Sequence, residues 1–294
     1  MRPLRRPPLC STGQDLGLRT LPGGDGGIVI ILGSRIARLQ HMPSIEPLLR
    51  EQRLAMLSFL QGCTVPIVAE KGDVANVVGT GTLFDFGDGL CLVTAAHVLQ
   101  GHDYGRKDLA VPDLPTGPSM HTLGSFNLLQ ERDWDIAILQ ITSPETVDRL
   151  RAGWTVLSGG NIQWTGGNGT YALAGCPRES VVLGASALQA EWIAMFVGSY
   201  EEEVENGRGE FDVITTYPRY VYRQNGLQQD APDTVHGLSG TSVWQPSGKI
   251  DTGAMWTPEA AMRVTGIQLS SVGGKYIRAR SWAIASEMLY RRGQ

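Results

Sequence analysis

Apolar positions along the 294-residue chain fall into many short runs broken by Gly, Asp and Pro, not into long amphipathic stretches. In the first half these runs are "TVPIVAE" (64–70), "GTGTLFDF" (79–86), "GLCLVTAAHVL" (89–99) and "DIAILQI" (135–141). A second series follows: "TYALAG" (170–175), "SVVLGASALQAEWIAMFVG" (180–198), "FDVITTYPRYVYR" (211–223), "TSVWQP" (241–246) and "RVTGIQLSSV" (263–272). β-Branched and apolar residues bounded by turn formers predict strands. Tyr220 and Tyr222, with Tyr217 and Pro218 just before them, place aromatics at alternate positions, as on one face of a strand. "EEEVENGRGE" (201–210) predicts a charged connection with a turn at "NG".

Only two segments carry a helical period. From Ser44 to Leu60, Ser44 is placed to cap, Pro47 fits the first turn, Leu49, Met56 and Leu60 lie near one face, and Gly62 supplies a stop. At the other end, "SWAIASEMLYRR" has Ser281 as a cap, Trp282, Ala285 and Leu289 on one face, and arginines in the last turn. Residues 1–42 are rich in Pro, Gly and Arg without a sustained period, which predicts a disordered or loosely attached extension. The expected plan is this extension, a helix over 43–62 packing on the first barrel or sandwich, and strands over 63–150. A linker near 145–165 leads to a second strand-rich unit over 151–294 that ends in a helix. Strands do not alternate with helices, so a doubly wound sheet is disfavoured and sandwiches or barrels are favoured.

Composition narrows the function classes. A formal net charge of −4 offers no basic footprint for nucleic acid. No apolar run approaches the roughly 18 residues of a membrane span. The basic "MRPLRRPP" start has no apolar core behind it, and "IVIILG" (28–33) is too short and too late for a leader. The four cysteines, Cys10, Cys63, Cys91 and Cys176, are far apart, so no disulfide framework is expected, and Cys91 and Cys176 read as small buried hydrophobes. Together these features predict a soluble, cytoplasmic protein with neither nucleic acid nor membrane as partner.

Candidate chemistry centres on "HGLSGTSVW" (236–244), where Ser239 stands in a glycine-flanked turn. A serine nucleophile needs a base, and the base needs a group to orient it. Of the five histidines none follows Ser239, which removes the α/β-hydrolase order and with it an esterase on that fold. Thr241 also stands where G-x-S-x-G ends in glycine. His41 lies in the extension, His102 in the polar loop "GHDYGRKD", and His121 has no distinctive context. His236 is too close to Ser239 in sequence and is expected to line the site. His97 ends an apolar strand through two alanines, "VTAAHVL". The H-x4-H spacing of His97 and His102 does not place two rings on one helix face, and no cysteine pair completes a metal site.

The motifs "GTGTLF", "LVTAAHVL", "DWDIAIL" and "HGLSGTSVW", in that order, resemble the chymotrypsin/trypsin-like serine peptidases, in particular the bacterial trypsin-like peptidase domains. "YALAGCP" (170–177 less its first residue) and the final helix fit the same pattern, and the resemblance covers roughly residues 64–291. It implies an all-β fold of two six-stranded antiparallel β-barrels with the site in the cleft between them. His97 matches the general base, Asp135 the orienting acid and Ser239 the nucleophile, with Asp133 the rival for the acid. The N–H groups of Gly237 and Ser239 match the oxyanion hole, helped by the freedom of Gly237 and Gly240. The implied reaction is peptide-bond hydrolysis through an acyl-enzyme, on a protein or peptide substrate, without metal or cofactor. Asp233, His236, Gln268, Ser270 and Ser271 are the candidate lining of the substrate pocket.

Two positions depart from the family pattern. Leu238 stands where animal trypsins carry the aspartate that pairs with a freshly cut N-terminus, so no trypsin-type zymogen switch is expected. Cys91 has no mate after His97. The rival readings are a trypsin-fold pseudo-enzyme or binding module, against which all three filled triad positions speak, and a protease effector controlled by a regulatory protein docked on the Ser44–Leu60 helix.

Overall fold

The computed structural model describes residues 50–71, 74–100, 109–163, 169–178, 181–183, 188–246 and 257–292. All of them belong to the compact unit His41–Gln294. The proposed extension, the start of the N-terminal helix, Cys10, His41 and His102 lie outside the described residues.

Helix α1 spans Arg50–Cys63. The first half then forms β1 Val65–Lys71, β2 Val74–Asp85, β3 Leu90–Ala95, β4 Leu109–Pro112, β5 Met120–Thr122, β6 Phe126–Glu131 and β7 Ile136–Ile141. These pair as one antiparallel sheet in the order β5-β4-β1-β2-β3-β7-β6. Helix α2, Pro144–Gly153, links the halves. The second half forms β8 Thr170–Gly175, β9 Val181–Leu183, β10 Leu188–Ala190, β11 Ile193–Gly198, β12 Asp212–Thr216, β13 Tyr220–Arg223 and β14 Gln228–Asp230. It continues with β15 Ser242–Pro246, the short helix α3 Pro258–Ala261, β16 Met262–Val272, β17 Tyr276–Ser281 and helix α4 Trp282–Arg292. Its main sheet runs β12-β17-β16-β15-β8-β11-β13-β14, with β9 and β10 as a separate hairpin. The architecture is the two-barrel, chymotrypsin-like all-β fold. The tally of seven and eight strands per sheet, against an expected six, comes from short segments at the sheet edges such as β5 and β14.

Three local features differ from the pattern along the chain. Part of the expected linker is helix α2, because Ser143 accepts from the Thr146 amide as an N-cap, Pro144 fills the first helical position and Glu145 meets the helix dipole. The run 211–223 is two strands, not one. Pro218 lacks an N–H for a ladder, and the strands on either side of it, β12 and β13, join the sheet at different places. Helix α1 makes its ring and cation contacts with the second sheet. Phe59 meets Trp244 edge-on at 5.4 Å, and the Arg53 guanidinium lies 5.9 Å from the Tyr222 ring centre.

One large core joins α1, the first sheet and the inner face of the second, from Leu57 and Leu60 through Ile67, Leu83 and Ile138 to Trp244 and Trp282. A second core fills the second sheet, with Leu173, Met195, Val221, Leu238 and Val243. Strand β8 serves both through its alternation: Tyr171 and Leu173 enter one core, Ala172 and Ala174 the other. Among the described residues no helix is long and apolar enough to cross a membrane.

Candidate active site

Antiparallel pairing of β3 with β7 sets Ala95 opposite Ile136. This register brings the residues that follow β3 to those that precede β7. Ala96–Leu99 then turn away as a 3-10 helix carrying His97, while Arg132–Asp135 form a turn closed by an Asp135 amide bond to Arg132 O (3.1 Å). Asp135 has φ of +55°, in the left-handed region that a non-glycine residue enters only when its surroundings hold it. Here the Ala96 amide donates to Asp135 O at 3.0 Å. The Asp135 carboxylate also grips residue 97 twice. Oδ1 accepts from the His97 backbone amide at 2.8 Å, and Oδ2 lies 2.7 Å from His97 Nδ1. A carboxylate only accepts, so Nδ1 carries the proton and Nε2 is left as the basic nitrogen. Asp133 is exposed, and the carboxylate that reaches His97 is that of Asp135.

The turn holding Ser239 is built from both halves. Its carbonyls are taken by the first sheet: Thr80 donates its amide to Ser239 O at 2.8 Å and its hydroxyl to Gly237 O at 2.7 Å. Gly240, at φ +89°, lies so close to β2 and β3 that an added Cβ would sit 2.2 Å from Thr80 O, so no other residue fits. Leu238 turns inward and is fully buried in the second core. The amides divide into two sets. Leu238 N–H donates to Val235 O, Gly240 N–H to Gln268 O and Thr241 N–H to Leu238 O. Among the described residues neither Gly237 N–H nor Ser239 N–H has an acceptor. Two unspent amides two residues apart form a pair that could donate together to one anionic oxygen.

The turn that carries Ser239 thus docks onto β2 and the end of β3, the strand that leads into His97. Among the described residues no hydrogen bond joins Ser239 Oγ to His97, and the His97 ring is solvent-accessible.

The candidate pocket residues are placed less closely. Gln268 pairs with the Ser239 turn through its backbone, donating to Thr241 O and accepting from Gly240 N–H, both at 2.8 Å. Its side chain is buried, and Oε1 has no donor among the described residues. Ser271 is half-buried, whereas Ser270, Asp233 and His236 are exposed. Among the described residues no side-chain hydrogen bond or ion pair ties these five together. Sequence reasoning passed over His121, which is half-buried with Nδ1 2.6 Å from Asp113 Oδ1. The pair fixes the loop between β4 and β5 and stands apart from Ser239. Among the described residues no group of three or more His, Cys, Asp or Glu side chains is arranged to hold a metal.

No family model and no curated protein matches the chain. Solved structures do. A serine endoprotease from Yersinia pestis is 13% identical, with a TM-score of 0.46 over 81% of this chain and 65% of that one. A human astrovirus serine protease is 12% identical, with a TM-score of 0.39 over 75% and 90%. A thermostable serine protease from an extremophilic microorganism is 10% identical, with a TM-score of 0.45 over 79% and 97%.

Proposed function

We propose that the chain is a serine endopeptidase that cuts protein or peptide substrates through an acyl-enzyme. The observation that carries this reading is the two-point grip of Asp135 on His97, at 2.8 and 2.7 Å. It orients an imidazole with its basic nitrogen free beside the docked Ser239 turn. In this reading Ser239 Oγ attacks the scissile carbonyl carbon and its proton passes to His97 Nε2. Asp135 holds the tautomer and stabilises the imidazolium. The carbonyl oxygen, now an anion, takes the Gly237 and Ser239 amides, each such donor contributing roughly 10²–10³ in turnover. His97 then protonates the leaving amine, and a water deprotonated by His97 releases the acid and restores Ser239.

A fluorophosphonate probe tests the reading. Native chain is expected to label at Ser239, and both Ser239→Ala and His97→Ala to lose the label. A native chain that stays unlabelled beside a reactive trypsin control would make this a binding module on a protease fold.

A further inference from the structure

A cavity of about 340 Å³ opens where three parts of the chain meet, away from the His97–Asp135 pair. Its walls are the end of α1 at Gln61, the loop from Pro112 to Pro118 with Pro66 beside it, and Cys176 with Trp192 from the second sheet. The volume lies in the range of small-molecule sites, roughly 300–1,000 Å³. No charged side chain lines it, and four proline rings and an indole share the wall with the amides of Gln61 and Gln224.

The walls are pinned. Trp154 Nε1 donates to Pro112 O at 2.9 Å, Gln61 Nε2 to Pro115 O at 3.4 Å, and the His121–Asp113 pair closes the base of the loop. Gln61 is only 7% exposed. With Nε2 committed to the loop, its Oε1 has no donor among the described residues and remains as an acceptor at a cavity wall.

The far wall touches the oxyanion turn. Cys176 O lies 2.7 Å from where a Cβ on Gly237 would be, so the two backbones are in contact. Two residues on, the Arg178 amide donates to His236 O at 2.8 Å. His236 C=O and Gly237 N–H belong to one planar peptide unit. The Arg178 bond therefore sets the direction in which the Gly237 N–H points.

We propose that this cavity is an effector site for a compact, neutral, ring-containing molecule bearing an N–H donor, and that its occupancy acts on the oxyanion hole through Cys176–Arg178. The coupling rests on reading Gly237 and Ser239 as the oxyanion donors; the cavity's occupancy does not. The ligand's ring lies against the prolines and Trp192, and its N–H meets Gln61 Oε1. Displacing Cys176 moves Arg178 N–H relative to His236 O and so re-aims the Gly237 amide.

Benzamide, a neutral aromatic amide, is the probe, with charged benzamidine as its matched control. In ¹⁵N-labelled full-length chain, benzamide is expected to shift the amide resonances of Cys176, Gly237 and Ser239. Gln61→Leu, which keeps the side-chain bulk but removes both the Oε1 acceptor and the Nε2 bond to Pro115 O, is expected to weaken binding at least about fivefold, the worth of one hydrogen bond to the ligand. Benzamidine is expected to leave the Cys176 amide unmoved. Equal benzamide affinity in the native chain and Gln61→Leu, or no binding, would overturn the site. Shifts at Cys176 with none at Gly237 would overturn the coupling. These readings need no catalysis, so a chain that binds benzamide but fails to label with fluorophosphonate would retain the site while losing the peptidase reading.

Discussion

Thr80, in the first sheet, holds Ser239, in the second, by two bonds: its amide to Ser239 O at 2.8 Å and its hydroxyl to the neighbouring Gly237 O at 2.7 Å. The Ser239 turn is therefore oriented from across the barrel junction. Thr80→Val keeps the shape and the amide bond but deletes the hydroxyl. A buried hydrogen bond contributes about 1 kcal/mol, so kcat is expected to fall roughly fivefold with KM little changed. Steady-state kinetics on a peptide ester measures this, and an unchanged kcat would show that the hydroxyl does not position the turn.

Asp135→Asn separates geometry from chemistry. Asparagine tolerates the left-handed backbone at φ +55°, so the turn is expected to survive. Its amide is a donor as well as an acceptor and no longer fixes the proton on Nδ1. Activity is expected to fall on the order of 10⁴-fold if Asp135 serves the role proposed, with the melting temperature close to native. Asp133→Asn, at an exposed position, is expected to leave activity within about twofold.

Leu238 anchors the turn by burial where trypsins use an ion pair. Leu238→Ala is expected to cost about 2–5 kcal/mol from the lost burial and the cavity left behind. Leu238→Asp places an unpaired carboxylate in the second core and is expected to abolish folding at ordinary temperature. Circular dichroism melts check both. A stable, active Leu238→Asp chain would mean that the turn finds a cationic partner instead.

The buried thiols predict an alkaline limit. Burial raises Cys176 from 9.0 to about 12, and it raises Cys63 further, assisted by the charge of Glu259. A folded pKa above the unfolded one favours the protonated, folded form. That contribution is complete below about pH 9 and is lost as pH rises toward 12. Urea midpoints are expected to fall over this window in the native chain and less in Cys176→Ala.

The buried ion pairs of Asp212 provide a separate check on the second sheet. Its carboxylate takes Arg280 at 2.6 Å and Arg278 at 3.0 Å, and Arg278 also holds Glu205 O and Gly207 O. Asp212→Ala leaves two cations facing one another and is expected to cost about 3–5 kcal/mol. Limited proteolysis is expected to show the 201–210 connection released before the barrel unfolds.

The strands within the runs 64–99, 135–141, 170–175 and 241–272 and both terminal helical patterns were legible because each follows from local periodicity and turn residues, whereas β4, β5 and β6 fall outside the runs read as strands. The pairing of His97 with Asp135 came only with the resemblance; its physical reason, the β3–β7 register that sets Ala95 opposite Ile136, belongs to the finished sheet. Helix α2 was legible only in its cap, Ser143-Pro144-Glu145, and the polar composition around it read as linker. The Asp113–His121 pair depends on the β4–β5 register, which sets Val111 opposite His121. The Arg178–His236 bond depends on how the end of β8 lies over the turn. Neither follows from a local pattern, because each joins segments that only the finished fold makes neighbours.

The Thr80 bonds, the Thr82–Ser242 hydroxyl pair at 2.8 Å and the tight seat of Gly240 all cross the same seam. Ser239 and His97 arise on separate barrels, yet the serine turn acquires its shape only against the other barrel. Cutting the chain between the halves would give two pieces, neither holding a finished site. Activity in such a split protein would report reassembly of the seam, making this junction a natural place to build a fragment-complementation sensor.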